Sequence, residues 1–175
     1  HTLDKQIFAP DYDPMAQPLV RSSQDVAQFL NSQRMGDRPK VSFLILSRAN
    51  RIIGNIHTPF TDITTDTEAV ARYINERVIQ FGGENAILYG DFAISMDESR
   101  GFRLLQGAME RFGKTKLLDV VHVEGNFTKS AIDLGLLYEP ETEYNVAKEN
   151  GERYDSPEQD IPVEAVQTQP LTFTE

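Results

Sequence analysis

The stretch "LYGDFAISMDES" places three carboxylates, Asp91, Asp97 and Glu98, close together in the chain. Asp91 falls where an apolar run gives way to a loop, which is where α/β proteins set functional groups. Oxygen ligands of this kind suit a hard cation such as Mg²⁺ or Mn²⁺, and a metal-assisted phosphodiesterase is one chemistry they allow. The plainer reading gives Asp91 to a turn, and Asp97 and Glu98 to the start of a helix, where negative charge meets the positive end of the dipole. We prefer the plainer one. His57 and His122 could converge with Asp91, but zinc needs three or four ligands and the chain has no H-x-H, H-x-x-x-H or cysteine pair. A structural role is expected of each histidine.

Other nucleophile and phosphate motifs are missing. There is no G-x-S-x-G and no Walker loop, and Gly82-Gly83 reads as a helix end. The chain has no cysteine, which removes disulfides, thiolate metal sites and cysteine nucleophiles together. Arg48, Arg51, Lys114 and Lys116 are scattered, although Lys114 and Lys116 flank one loop. Without interleaved aromatics they suit a solvated surface better than a nucleic-acid face.

The 175 residues are 39% hydrophobic and 25% charged, enough to bury one core. Seventeen bases against 27 acids leave a formal charge of -10, which argues against broad contact with a phosphate backbone. Ten of the acids and only two bases lie from Glu139 to Glu175, so the body is nearly neutral and the tail carries the excess. No apolar run approaches the ~20 residues of a membrane span, and no signal peptide is evident. The first residue is His1 rather than Met, which suggests a tag remnant or cut site. A cytoplasmic protein is the default expectation.

Three segments follow. Residues 1–18 read as an extended arm punctuated by Pro10, Pro14 and Pro18, with Ile7, Phe8 and Tyr12 able to pack along the body. Residues 139–175 read as an acidic, Pro-containing and largely disordered tail. Its stretch "VEAVQTQPLTFTE", with Val163, Val166, Leu171 and Phe173, is a candidate docking anchor. Between them, 19–138 reads as an α/β domain.

Within the domain, Ser22 or Ser23 caps a helix carrying Val26, Phe29 and Leu30, which Gly36, Asp37 and Pro39 stop. "KVSFLILS" is a strand buried on both faces, and "RIIGNIHT" runs back beside it after a turn at "RAN". Thr65 and Glu68 form a capping box for a second helix that ends at Gly82-Gly83. "NAILYGDF" is a short buried strand. Ser99 or Asp97 caps a third helix with Phe102, Leu105, Met109 and Phe112 on one face, stopped by Gly113. "KLLDVVHVEG" is a further strand, and Ser130 with Asp133 caps a short closing helix, "AIDLGLL". That order predicts a mixed sheet flanked by helices.

From about Leu19 to Leu137 the chain resembles the RadC-like branch of the JAB/MPN superfamily, a cytidine-deaminase-like sandwich. The matching residues are "LVRSSQDVAQFL", "SFLILSRANRIIGNIH", "NAILYGDF" and, most specifically, "LLDVVHVEGNFTKSAIDLGLL". The family binds metal through H-x-H-P-S-G with a later Ser and Asp and an upstream Glu. Here the histidine positions fall on Gly90 and Phe92, with Asp91 between them, and the Pro-Ser-Gly run falls on Ala93, Ile94 and Ser95. The later Asp is lost near Phe102, and the Glu falls on Ile56.

The resemblance therefore implies a metal-free, cofactor-free relative with no catalytic residue. It implies a pseudoenzyme whose former cleft is filled by Phe92, Ile94 and Ile56, next to Asp91 and His57. A protein partner is the first expectation, in the phage, plasmid and integrative-element setting where such proteins are common; homo-oligomerisation through a sheet edge stays open. The alternatives are a DNA repair or recombination accessory factor using Lys114 and Lys116, and the phosphodiesterase of Asp91, Asp97 and Glu98.

Overall fold

The hairpin read from "KVSFLILSRANRIIGNIH" forms as strand β1, Val41–Leu46, against an antiparallel β2, Ile52–His57. The structure, a computed structural model, describes residues 16–33, 40–140 and 142–144. The arm residues Ile7, Phe8 and Tyr12, the stop signals Gly36, Asp37 and Pro39, and the tail anchor from Val163 to Phe173 lie outside the described residues. Asn50 closes the hairpin at a positive φ of 62°, a region that asparagine tolerates better than most residues. Its side-chain oxygen accepts from Asn85 Nδ2 at 2.7 Å, so the turn is tied to the next strand.

Five strands form one mixed sheet in the order β2-β1-β3-β4-β5. β3 (Asn85–Gly90) runs antiparallel to β1 and parallel to β4 (Lys116–Glu124), and β5 (Phe127–Ser130) returns antiparallel on β4. Helix α1 spans Ser23–Ser32, α2 Thr67–Phe81 and α3 Ser99–Gly113. The parallel β3–β4 pair needs a crossover, which α3 supplies. β1 is buried at every position, as its five apolar residues predicted, and Ser42 is buried with them.

Cross-strand partners share a face. One face therefore carries His57, Ser42, Tyr89, Val121 and Ser130 in one row. Thr128 lies on the same face, and its hydroxyl meets Ser23 of α1 at 3.0 Å. The opposite face carries Ile56, Phe43, Leu88 and Val120, and Tyr73 of α2 packs edge-on against Phe43 at 6.4 Å. α3 joins α2 there, where Asn75 Nδ2 donates to the Met109 carbonyl at 3.1 Å.

Several helix ends differ from expectation by a residue. Ser22 is the N-cap of α1 but its side chain makes no capping bond; Asp25 instead reaches back to accept the Arg21 N–H at 2.8 Å. Asp66, not Thr65, caps α2, accepting the Ala69 N–H at 3.1 Å. Thr65 is drawn away because its hydroxyl donates to Asp62. That bond, with the Thr64 N–H and hydroxyl, holds the Asp62 carboxyl below its usual range.

Neither Ser99 nor Asp97 caps α3. Glu98 takes that position after a 3₁₀ turn over Met96–Glu98. At the other end Lys114, not Gly113, adopts the left-handed conformation, with φ 58°. Gly113 is needed for a different reason: a Cβ there would meet Asn75 Cγ at 2.6 Å. Phe112, expected in the core, is 36% exposed, and the Arg72 guanidinium lies 4.2 Å from its ring centre.

Two corrections concern the end of the body. "FTKS" is the fifth strand, and the expected closing helix "AIDLGLL" is a run of turns. The expected cap bond survives within it, with Asp133 N–H donating to Ser130 Oγ at 3.2 Å. The Ala131 N–H still bonds the Val120 carbonyl, and Gly135 turns the chain at a positive φ of 74°, so no helix is propagated between them.

Gly107 sits inside α3, and a Cβ there would meet nothing closer than Arg111 Nη1 at 3.7 Å. Gly107→Ala is expected to stabilise the fold by ~0.5–1 kcal/mol, through the lower chain entropy of the unfolded state. A thermal melt that shows no gain, or a loss, would contradict this.

Candidate functional site

Gly90, Asp91, Phe92 and Ile94 lie at the C-terminal end of β3 and just beyond it, whereas Ile56 lies on β2, two strands away. Gly90 pairs with Val41 on one side and His122 on the other. A Cβ on Gly90 would sit far inside contact distance of the Lys40 carbonyl oxygen and 2.8 Å from Phe92 Cε2. Backbone cannot yield as a flexible side chain does, so position 90 has room for hydrogen alone. Phe92 is half-buried against the core, Ile94 is 2% exposed, and Ile56 is 1% exposed on the neighbouring inner face. Asp91 points into solvent, with its N–H donating to the Lys40 carbonyl at 3.3 Å. Asp97 is exposed and Glu98 half-exposed.

The histidines are kept apart. His57 ends β2 on the α1 face, where its Nδ1 lies 3.0 Å from Ser42 Oγ. His122 lies on the opposite face, three strand spacings away, about 14 Å at the usual separation. Its Nε2 is 3.6 Å from Glu124, and its ring meets Phe127 edge-on at 6.4 Å. Among the described residues no group of three or more His, Asp or Glu side chains is placed to hold a metal ion.

The serine–histidine contact has the form used in nucleophilic catalysis, but Ser42 is fully buried within the sheet. No substrate carbonyl can reach that oxygen, so the pair satisfies two inward-facing polar groups. Beside it Tyr89 donates its hydroxyl to Asn55 Oδ1 at 2.6 Å. The sequence alone would have missed the pair: a regular hairpin centred on "RAN" sets Ser42 opposite Ile56, and the register shift between Ile45 and Leu46 brings His57 there instead.

Lys114 and Lys116 are both exposed. Lys116 and Arg48 line one hollow of about 400 Å³, but Glu84 and Glu143 share it. Arg48 pairs with Glu84 at 3.3 Å, and Arg51 donates to the Gln17 carbonyl at 2.8 Å. The hollow is mixed in charge, not a basic stripe.

The most perturbed group was not anticipated. Asp119 is fully buried in β4, and burial pushes its carboxyl up to about 6. Four donors meet it: the N–H groups of Val120 at 2.8 Å and Ile132 at 3.0 Å, the Ser130 hydroxyl at 2.6 Å, and the Tyr144 hydroxyl. These donors favour the ionised form and offset part of the desolvation, while nearby Asp133 opposes it. An acid inside the apolar run "KLLDVVHV" was the available signal.

No protein-family model matches this chain, and neither does any curated protein. No helix among the described residues is long and apolar enough to cross a membrane.

Proposed function

We propose that this chain is a metal-free, RadC-like JAB/MPN sandwich that works as a protein-binding module. The observation that carries the reading is the filled end of β3. Gly90 has no room for a side chain, Phe92 and Ile56 put hydrocarbon where the resemblance sets a metal ligand and a base, and Ile94, in the place of the Pro-Ser-Gly serine, is buried. Apolar filling removes the need to satisfy buried charge, which makes it an easy route from enzyme to scaffold. The mixed five-stranded sheet with helices is compatible with that sandwich. The partner is a protein, in the setting of a phage or other mobile element.

Both alternatives have less support. Asp91 and Asp97 face solvent, and with Glu98 they form no metal-holding group. The Lys114–Lys116 loop borders acids as well as bases.

Asp91→Ala is expected to change stability by no more than ~0.5 kcal/mol, as at ordinary surface positions. Isothermal titration of the purified full chain with Zn²⁺, Mg²⁺ and Mn²⁺ is expected to show no stoichiometric site. One tightly bound ion that disappears in Asp91→Ala, or metal-dependent hydrolysis of an isopeptide or phosphodiester, would overturn the reading.

A further inference from the structure

Three residues on one face of α3 run against local preference, and all three line one hollow of about 320 Å³. Arg103, Gly107 and Glu110 follow one another at the i, i+4, i+7 spacing of a single helix face. Gly107 is a glycine in a helix interior, where alanine is the better helix former. No neighbour requires it, since a Cβ there would meet nothing closer than Arg111 Nη1 at 3.7 Å. Glu110 sets a carboxylate in the last turn, at the negative end of the helix dipole. Arg103 donates through Nη2 to the Gly135 carbonyl at 2.9 Å, yet its Nε–H is closed to water and has no acceptor among the described residues. Local rules broken together in one place are characteristic of a functional site.

The rest of the hollow suits a ligand that carries both charges. Lys116, which opens β4, and Glu139 line it too, so it holds two cationic and two anionic side chains. Among the described residues neither Glu110 nor Lys116 forms an ion pair. Tyr138 supplies an aromatic wall, with the Arg103 guanidinium 4.8 Å from its ring centre. Gln106 fixes that wall, donating through Nε2 to the Tyr138 carbonyl at 2.8 Å and accepting the Tyr138 N–H at 3.0 Å. A simple anion would be repelled by the two carboxylates, and a simple cation by Arg103 and Lys116.

We propose that this hollow binds a short peptide zwitterion, the length of a dipeptide, lying along α3. Its carboxylate accepts from Arg103 Nε and Lys116, and its ammonium donates to Glu110, where the helix dipole favours positive charge. Seven residues of helix put Arg103 and Glu110 about 10 Å apart. An extended dipeptide spans about 7 Å, and a hydrogen bond at each end covers the rest; a single amino acid spans about half as much. Gly107 leaves bare backbone in the middle of that path, so the peptide can lie close to the helix. A volume of about 320 Å³ is at the small end for ligand sites, as so short a ligand requires. The hollow lies at the opposite end of the parallel β3–β4 pair from Gly90, so it is independent of the protein-binding reading.

Isothermal titration of the full chain with alanyl-leucine near neutral pH tests this. One saturable site is expected. N-acetyl-alanyl-leucine and alanyl-leucinamide each lack one charge and are expected to bind at least about 10-fold more weakly. Glu110→Gln is expected to weaken alanyl-leucine about 10-fold and to leave the acetylated peptide unchanged. Arg103→Gln and Lys116→Gln are expected to weaken alanyl-leucine and to leave the amide unchanged. Gly107→Leu keeps the helix and fills the floor of the hollow; it is expected to melt no lower than the parent and to abolish binding. No saturable heat at millimolar peptide, capped peptides that bind as tightly, or an unchanged affinity in folded Gly107→Leu would overturn the proposal.

Discussion

Asp119→Ala is expected to lower the unfolding free energy by about 3–5 kcal/mol, the range for removing one member of a buried charged network. The loss arises from what stays behind. Two backbone N–H groups and the hydroxyls of Ser130 and Tyr144 all point at the deleted carboxylate. Alanine accepts none of these bonds, and the site is closed to water. Asp119→Asn behaves differently. Its oxygen can still accept from the backbone, and the two hydroxyls can rotate to accept from its amide. It is therefore expected to stay within about 1–2 kcal/mol of the parent.

The pH dependence distinguishes the two states of the parent acid. The folded-state carboxyl lies near 6 and the unfolded one near 3.8. The contribution of Asp119 to stability is thus full below about pH 4 and is lost as pH rises through 6, on the order of 3 kcal/mol in all. Asp62 acts with the opposite sign: its lowered carboxyl contributes above its ordinary 3.8 and loses that contribution as pH falls further. Urea melts of the parent and of Asp119→Asn between pH 4 and 8 should diverge on this account. Parallel stability curves would show that Asp119 does not titrate in that window.

The second large effect is the failure of an introduced metal site. Gly90→His, Phe92→His and Ile56→Glu together introduce the residue types of the RadC-like motif that the sequence resembles, yet the triple variant is expected neither to fold stably nor to bind zinc. Any side chain at position 90 collides with the Lys40 carbonyl. Overpacking of that kind costs about 1–3 kcal/mol even for a single methyl group. Ile56→Glu adds an unpaired charge at a place now 1% exposed, at a further cost of several kcal/mol. Gly90→Ala alone isolates the first contribution. Circular-dichroism melts and zinc titration check both, and a folded triple variant holding one zinc ion would show that the strand end can be reopened.

Much of the architecture was legible in the chain because periodicity is a local property. The short run "VSFLIL" reads as a strand buried on both faces, and "RAN" between two apolar runs reads as the turn that reverses it, as the structure has them. Helices α2 and α3 followed from three-four spacing and their end signals. The cap residues shifted by one position wherever a neighbouring side chain competed, as Asp62 does for Thr65. β5 escaped notice because "FTKS" has no apolar alternation; its strand geometry comes from pairing with β4.

The candidate site divides in the same way. The identities at Gly90, Phe92 and Ile56 were plain from the sequence, and so was their inability to ligate a metal. That Gly90 is pressed against Lys40, and that His57 and His122 face opposite ways, depended on strand register. Asp119 is the clearest case. Sequence placed an acid in an apolar strand, but its partners lie 11, 13 and 25 residues further along the chain. Local spacing determines which face a side chain occupies, because backbone geometry repeats over a few residues. Whether a buried charge is satisfied depends on segments brought together only when the whole chain closes, and that was decided by tertiary structure alone.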